Sequence, residues 1–575
     1  MRSLPPLAPV LAGLAIGMSS APALAAGPLG PEQEPAAPAP AERAVPLERT
    51  AAWAILSEGR IKPLETFARE TLLALAERDE IEGLGPLEVV WGLHLASEDF
   101  SRRAILRVHS EELKTRAGLD PDQRRFSLEA LMQDRPFQEI VEEAMARERA
   151  GARLDALERE ALTVYARMER AAALVRGDAL TLVPSARHGA GWVHPQALLE
   201  QGEPGELEIY GAFGRLAAAY RSADAAAFER EVDALGALLR AAGGETYPSG
   251  RELSVELFYN RLGAFGRAWK LYLAAFLAFL FVRIWSPRAA RGLGLATLLA
   301  GLVLHTLGLG LRWAIAGRAP VSDMYESLVF MGWGVVAVGV VLELLYRRGH
   351  FGPAASLLAF ASLAFAENLP LDSAINPLAP VLANTAWLSV HVMTIMLSYS
   401  AFALAMAMGH VVLAVRLFRP GRSETLLSLS RLLYKTLQVG VLFLAAGICF
   451  GAIWANESWG RYWGWDPKET WSLITFFAYL ALVHARFAGW LHDFGLAVTS
   501  IAGFMFVLMT YYGVNFVLGA GLHSYGFAEG GTLYAVAYLV LELAVIAAAL
   551  ARHRSALVSF RAPAAALDRQ TVRGA

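Results

Sequence analysis

Cysteine is almost absent from this chain of 575 residues. Its single cysteine, Cys449, lies in an apolar stretch. One thiol cannot form an internal disulfide, a CxxC redox pair or a thiolate metal site. We therefore expect any thiol chemistry to use thiols that belong to another molecule.

Charged residues are also scarce. They make up 18% of the sequence and leave a formal net charge of -2, so no broad basic surface is indicated and a nucleic-acid partner is not expected. Apolar residues make up 55%, and the mean hydropathy is +0.39. A soluble protein of this length is rarely so apolar, and the composition predicts a membrane protein.

The first half of the chain differs in composition from the second. Residues 1–26 have the pattern of a secretory signal peptide, since Arg2 precedes an apolar stretch and Ala-Leu-Ala stands before Ala26. Residues 27–49 are rich in proline and alanine and are predicted to be a linker. Residues 50–262 have a soluble composition with helical periodicity, which predicts a mostly helical extracytoplasmic domain.

The sequence from 263 to 555 is predicted to be a transmembrane domain. Nine apolar segments approach the ~20 residues that a bilayer requires, near 268–285, 292–314, 325–345, 352–370, 386–412, 436–454, 471–489, 494–518 and 531–551. The predicted fold class is therefore an all-α polytopic membrane protein with about nine transmembrane helices and an N-terminal, mostly helical domain.

Arginine and lysine concentrate in alternate connections between these segments, for example at Arg347 and Arg348 and from Arg416 to Lys435. The positive-inside rule makes those connections cytoplasmic, together with a tail at 556–575. The N-terminal domain is then extracytoplasmic, in a multi-pass protein of the cytoplasmic (inner) membrane.

The connection after the sixth segment is exceptionally aromatic. Residues 454–471 read WANESWGRYWGWDPKETW and are predicted to lie on the periplasmic side. A single tryptophan near a bilayer surface usually anchors the protein at the interface, but five in one loop are too dense for such a belt. Asp466 precedes a proline, which favours a turn and indicates that it fixes the loop. The aromatic residues of the loop are Trp454, Trp459, Tyr462, Trp463, Trp465 and Trp471.

Two histidines are predicted to flank this loop on the same side of the membrane. His391 lies just inside the fifth segment, and His523 follows the eighth. Imidazole nitrogens can occupy both axial positions of a haem iron, and indole rings can stack on its apolar macrocycle. Arg461 and Lys468 are candidates to pair with the propionates.

Two further histidines lie at membrane depth, where polar groups are costly and often functional. These are His484 and His305, which come from different segments. They are candidates for a second haem site, and the alternative for each is an interhelical hydrogen bond.

These motifs resemble those of a known family. WGRYWGWDPKETWSL, followed by HAR and GLHSYG and preceded by APVSDMYESLVF, closely resembles the tryptophan-rich (WWD) signature of cytochrome c assembly proteins, in particular the CcsA/ResC branch of system II. The likeness covers roughly residues 300 to 545. Family members often carry a histidine where this chain has Arg318, so a role for that position does not transfer.

The resemblance implies a function in cytochrome c biogenesis. The family's axial histidines fall on His391 and His523, and its membrane-embedded histidine falls on His484. Haem b would be the substrate, attached through thioether bonds to the CxxCH motif of a secreted apocytochrome c by a cytochrome c synthase (haem lyase). The implied partners are the apocytochrome, a ResB/CcsB-like membrane subunit and a periplasmic thiol reductant.

Two other functions remain open from the residues alone. The same ligands would serve a haem exporter or relay that hands haem to a separate ligase. A bis-histidine membrane cytochrome would exchange electrons with a quinone, although such a protein usually places its ligands in pairs on neighbouring helices.

Overall fold

The computed structural model describes most of the chain. The described residues are 45–185, 191–201, 204–282, 284, 286–347, 349–368, 371–382, 385–418, 423–519, 521–523 and 532–571. The predicted signal peptide and most of the predicted linker lie outside these ranges. The chain divides into two compact units after Arg261.

The N-terminal unit consists of short helices and three small antiparallel ribbons. The strands are β1 Ala54–Ser57 with β2 Arg60–Pro63, β3 Leu106–Arg107 with β4 Arg125–Phe126, and β5 Val183–Pro184 with β6 Trp192–Val193. The helices are α1 Leu64–Ala76, α2 Pro86–Leu95, α3 Ser97–Ser101, α4 Glu111–Ala117, α5 Leu128–Gln133, α6 Arg135–Arg149, α7 Ala156–Arg176, α8 Leu198–Gln201, α9 Pro204–Arg221, α10 Ala225–Gly243 and α11 Gly250–Leu262.

One continuous hydrophobic core holds this unit together. Trp53 and Trp91 pack edge to face at 6.0 Å in its interior, and the buried indole N–H of Trp91 donates to Thr50 Oγ1 at 2.9 Å. Each buried polar indole atom needs such a partner. The unit therefore has a hydrophobic core of its own in which a buried polar group is satisfied.

The second unit is built from long helices. They are α12 Ala264–Leu277, α13 Pro287–Ala316, α14 Met324–Tyr346, α15 Phe351–Asn368, α16 Ala386–Phe418, α17 Ser423–Trp459, α18 Pro467–Phe487, α19 Asp493–Leu508 and α20 Thr532–Thr571. Two π-helical segments, Ala278–Val282 and Met509–Leu518, continue α12 and α19. The predicted all-α fold class is confirmed.

Within the described residues, eight helices are long and apolar enough to cross a bilayer, compared with the nine segments predicted. The difference is α15, which forms a helix of 18 residues ending in Glu367 and Asn368. At 18 residues it is long enough for a short span, but the two polar residues at its end leave it less apolar than the other eight helices. The first candidate span covers Gly250–Phe281, a longer range than predicted, and Gly263 divides it into α11 and α12.

Small residues allow the helices of this unit to approach closely. The space that a Cβ would need at Gly440 of α17 is filled by the ring of Phe402 from α16, and that at Gly339 by Ala355. Close approach at small residues is the common basis of helix association in membranes, where lipid provides no hydrophobic driving force. The first contact fixes α16 against α17, which together carry much of the site described below, and the second fixes α14 against α15.

Candidate functional site

The tryptophan-rich loop ends in a helix cap. Helix α17 ends at Trp459, and α18 begins after Asp466 with Pro467 at its first position. The Asp466 carboxylate accepts from Lys468 N at 2.9 Å, while Glu469 Oε2 accepts from Asp466 N at 3.2 Å. This reciprocal capping box explains the DPKE sequence, and it fixes the exit of the loop.

The same carboxylate connects the loop to the segment that carries His523. Asp466 Oδ2 accepts from Leu522 N at 2.7 Å, and Oδ1 lies 3.0 Å from His523 Nδ1. Gly521 has a φ of +96°, and a Cβ there would overlap the Asp466 carboxylate. Burial raises the pKa of Asp466, but the contacts with His523 and the two backbone N–H groups outweigh it and lower the pKa to about 2.

His391 is fixed by helix packing. Its Nδ1–H donates to the carbonyl of Gly447 on α17 at 2.8 Å, which leaves Nε2 as the nitrogen available to a ligand. A Cβ at Gly451 would lie 2.5 Å from His391 Cε1, so the glycine provides the space in which the ring fits.

Trp454 brings the two histidines into one cluster. The indole is 1% exposed, and its ring centroid lies 6.1 Å from that of His391 and 5.9 Å from that of His523. The two imidazole centroids are therefore at most about 12 Å apart. Residues 132 positions apart in sequence thus meet at one end of the helix bundle.

Both histidines line one cavity. Its lining surrounds about 1020 Å³ of empty space, part of which is open to solvent. The walls are largely apolar, with polar groups from four helices and the loop. Besides the histidines, the lining includes Val392, Ile395, Met396, Tyr399, Ile448, Gly451, Ala452, Ala455, Tyr462, Trp463, Lys468, Glu469, Ser472, Thr510, Tyr511, Asn515 and the segment from Val321 to Met324 with Ser327.

Five of the six aromatic residues of the loop divide into three groups. Tyr462 and Trp463 line the cavity. Trp454 and Trp459 pack behind the histidines, with Trp459 edge to face against His523 at 4.9 Å. Trp465 is 69% exposed and has a φ of +57°, a conformation that bulky residues rarely adopt.

Trp471 is half-buried on α18, and its carbonyl accepts from Thr475 Oγ1 at 2.8 Å. The loop therefore does not present five indoles to one cavity. Two aromatic residues of the loop, Tyr462 and Trp463, lie on the cavity wall, and two, Trp454 and Trp459, pack against His523.

The two predicted cations have different environments. Lys468 lines the cavity, and its Nζ donates to Asn515 Oδ1 at 2.9 Å. Arg461 instead lies 3.6 Å from Glu469 and packs over the ring of Trp459 at 5.8 Å. Of these two residues, Lys468 is the one placed to meet an anionic group in the cavity.

His305 and His484 lie elsewhere. His305 is fully buried against α12, with Nδ1 3.1 Å from the Tyr272 hydroxyl and its ring edge to face with Phe265. His484 is exposed near the end of α18, where Nδ1–H donates to the carbonyl of Leu480. Neither belongs to the lining given above, and they have no contact with each other among the described residues.

Sequence reasoning missed an ion-pair network next to the cavity. Glu326 is 1% exposed and accepts from Arg312 at 2.9 Å and from Arg318 at 2.8 Å. The two arginines also donate to carbonyls of Ser373, Ala374 and Asn376. The signal was present in APVSDMYES, where a carboxylate follows a serine-aspartate pair at the start of an apolar segment.

This network determines the position of the segment before α14. Ser322 donates to Glu326 through both its backbone N–H and its hydroxyl, and Asp323 caps the helix. Burial raises the pKa of Asp323, and the neighbouring Glu326 raises it further. Because Ser322 and Asp323 line the cavity, the network helps to shape its wall.

Comparisons with known proteins point to one family. Residues 321–523 match the family model described as cytochrome C assembly protein, a range that includes His391, the loop and His523. The CcsA cytochrome c biogenesis protein of Synechococcus sp. CC9311 is 38% identical over 312 residues, which are 47% of this chain and 98% of that protein. CcsA of Prochlorococcus marinus AS9601 is 34% identical over 283 residues, which are 43% of this chain and 88% of that protein.

A longer relative matches more of the chain. Protein NrfI of Wolinella succinogenes is 32% identical over 501 residues, which are 83% of this chain. That range is too long to fall within the helix bundle alone, so NrfI also resembles part of the N-terminal unit. The match spans 54% of NrfI, so this chain corresponds to about half of that protein.

Proposed function

The chain belongs to the cytochrome c assembly protein family, and from this premise we propose that it acts in cytochrome c biogenesis by holding a haem b substrate between His391 and His523. The observation that carries the proposal is that both imidazoles line one cavity beside a shared indole. In each ring Nδ1 already lies beside an acceptor, which leaves Nε2 to bind iron.

The donor set fits this substrate. An apolar cavity with two imidazoles suits a macrocycle that needs two axial ligands, and Tyr462 and Trp463 provide aromatic contact at its wall. Lys468 would pair with a propionate, because it is a cation lining the cavity. Arg461 would act indirectly, by holding Glu469 and Trp459.

We propose that the bound haem is presented for thioether attachment to a CxxCH motif. Each cysteine S–H adds across one vinyl C=C bond, so the sulfur and the hydrogen both end on the product and no net oxidation occurs. The contribution of the chain is to orient the haem and exclude competing encounters, which replaces a bimolecular collision by a positioned one. The chain's own Cys449 has no part in this addition.

The family and the charge distribution support a location in the inner membrane with the cavity on the periplasmic side. The end of the bundle that carries the cavity would face the periplasm, with the arginine-rich connections in the cytoplasm. A ResB/CcsB-like membrane subunit would complete the synthase, and a periplasmic thiol reductant would keep the CxxCH cysteines reduced.

The test is to purify the full-length protein with its haem and compare wild type with His391→Ala and His523→Ala. We expect each variant to lose the bis-histidine spectrum and most of the haem measured as pyridine haemochrome. His492→Ala is the matched control, because His492 is exposed at the N-terminus of α19 and lies outside the cavity. Full haem retention in both alanine variants would overturn the proposal.

An experiment with purified components distinguishes a synthase, which attaches haem covalently, from a relay, which only transfers haem. Reduced haem and a CxxCH peptide are added to the purified protein, with and without the companion subunit. Covalent c-type product supports the synthase, whereas haem transfer with no thioether product in either mixture would leave the relay function as the correct one.

A further inference from the structure

The two proposed iron ligands have different partners on their second ring nitrogen. His391 Nδ1–H donates to the neutral carbonyl of Gly447 at 2.8 Å. His523 Nδ1 instead lies 3.0 Å from the carboxylate of Asp466. A carboxylate partner increases the basicity of a ligating imidazole more than a carbonyl does, because it stabilises the positive charge that the ring gains on binding a metal.

Asp466 is held where it can serve this purpose. Its side chain is buried, and it accepts from the backbone N–H groups of Lys468 and Leu522 at 2.9 and 2.7 Å. One bond belongs to the start of α18, and the other to the segment that carries His523. The carboxylate therefore cannot turn away without breaking the helix cap or releasing that segment.

The His523 ring is confined beside the Asp466 carboxylate. Nδ1 has no aligned hydrogen bond in this structure, although Asp466 Oδ1 is within hydrogen-bond distance. Rotation of the imidazole about the Cβ–Cγ bond would direct Nδ1–H at that oxygen. The rings of Trp459 and Trp454 pack against the imidazole, with centroid distances of 4.9 and 5.9 Å, and limit its movement.

We propose that Asp466 is a positioning residue that fixes the tautomer of His523, aims its Nε2 into the cavity and makes it the stronger of the two haem ligands. This inference rests on the proposed function, since it concerns how that same site binds haem. It adds a role for the loop aspartate beyond closing the turn: one carboxylate links the cap of α18 to the strength of an axial ligand.

The variant Asp466→Asn tests the charge. Asparagine is an equally good helix cap, so the start of α18 is preserved. Its single amide oxygen cannot accept from both Lys468 N and Leu522 N, so the ligand-replacement experiment below serves as an independent test. We expect haem affinity to fall 10- to 100-fold, as for other carboxylate partners of ligating histidines. We also expect the midpoint potential of the bound haem to rise, because the lost negative charge stabilised the ferric state.

Asp493→Asn is the matched control. Asp493 pairs with Arg486 at 2.7 Å at the other end of α18, so it loses the same charge without touching either histidine. Both proteins are purified full-length with haem b, and retention and midpoint potential are measured. An Asp466→Asn protein with the affinity and potential of wild type overturns the inference.

A second experiment avoids any effect of the aspartate variant on folding. In His523→Gly, free imidazole or 1-methylimidazole is supplied as the missing ligand. Both can bind iron, but 1-methylimidazole has no N–H to donate to Asp466. We expect imidazole to bind at least ~10-fold more tightly than 1-methylimidazole, in line with the effect of removing a hydrogen-bond partner from a ligating histidine. Equal binding of the two would contradict the role of Asp466.

The outcomes distinguish this inference from the proposed function. If haem retention is independent of His391 and His523, the proposed function itself fails. If retention needs both histidines but is insensitive to Asp466→Asn and to N-methylation of the added ligand, the proposed function stands and the positioning role is wrong.

Discussion

The indole of Trp454 lies parallel to the imidazole of His391, with 9° between the ring planes and 6.1 Å between the centroids. The same indole contacts His523 from another side, so both proposed ligands are aligned by one buried side chain. Trp454 also belongs to a small core with Leu382 and Leu388. It therefore connects the site to the packing of the bundle.

Replacing Trp454 by alanine is expected to disrupt both the haem site and the packing of the helix bundle. Removing a buried aromatic side chain costs about 3–5 kcal/mol, and here the lost ring also leaves the two imidazoles without their common support. We expect lower thermal stability of the solubilised protein together with loss of haem. Trp454→Phe, which keeps an aromatic ring, should retain most of both; equal loss in the two variants would argue against the alignment.

Gly451 is expected to tolerate no side chain. In Gly451→Ala the new Cβ lies 2.5 Å from the His391 ring, so the imidazole must move or the α16–α17 packing must open. We expect weakened haem binding and an altered haem absorption spectrum. The control is Gly310→Ala on α13, where the added Cβ meets nothing within 4 Å. A normal spectrum in Gly451→Ala would show that the ring position is not constrained in this way.

The Glu326 network is expected to be necessary for stability. Glu326→Gln removes the carboxylate that the guanidinium groups of Arg312 and Arg318 both contact. Breaking a buried ion pair by neutralising one partner typically costs about 3–5 kcal/mol. Thermal unfolding of the solubilised protein measures the loss of stability. The control is Glu424→Gln, because Glu424 is exposed and its substitution is expected to cost ~0.5 kcal/mol or less.

The N-terminal unit is expected to weaken in acid. Burial raises the pKa of Glu77, but the hydrogen bond from His109 and the charge of Arg167 outweigh it, so the pKa is below its ordinary value. The stabilisation from this carboxylate is therefore fully present above the unfolded pKa of ~4.3 and is lost as the pH falls through the lower folded value.

Limited proteolysis of the full-length protein over this pH range measures the effect. Cleavage within residues 45–261 should increase as the pH falls, and Glu77→Gln should reduce that dependence on pH. An unchanged profile in the variant would assign the acid sensitivity to other groups.

Cys449→Ser is expected to leave cytochrome c maturation unchanged. Cys449 is exposed on α17 and lies outside the cavity lining, and the proposed addition uses substrate thiols alone. Maturation is measured as covalent haem in a secreted reporter cytochrome c. Loss of maturation in the serine variant would mean that the chain contributes a thiol of its own.

Several features could be predicted from sequence because they depend on local or compositional signals. A short stretch of sequence is enough to identify the apolar segments, the Asp-Pro cap and the high density of tryptophans. The pairing of His391 with His523 was also expected, since alternating helices return to the same side of a bilayer. The fourth predicted segment differs, because α15 ends in Glu367 and Asn368 and is less apolar than the eight helices that could cross a bilayer.

Other features depend on contacts between distant segments. No sequence window indicates that Trp465 is exposed while Trp454 is 1% exposed, or that Arg461 pairs with Glu469 and leaves Lys468 to line the cavity. Adjacent loop residues point to different surroundings because each side chain's environment is set by helices far away in the chain.

The sequence alone determined an α-helical membrane protein with a tryptophan-rich loop and two histidines at one end of its helices, because hydrophobicity, capping and charge asymmetry are properties of short segments. Only the tertiary structure decided which atoms meet. The contacts of Asp466 with Leu522 and His523, and of Glu326 with two arginines, join residues that no local pattern relates, since each requires several helices to pack before its partners are within reach.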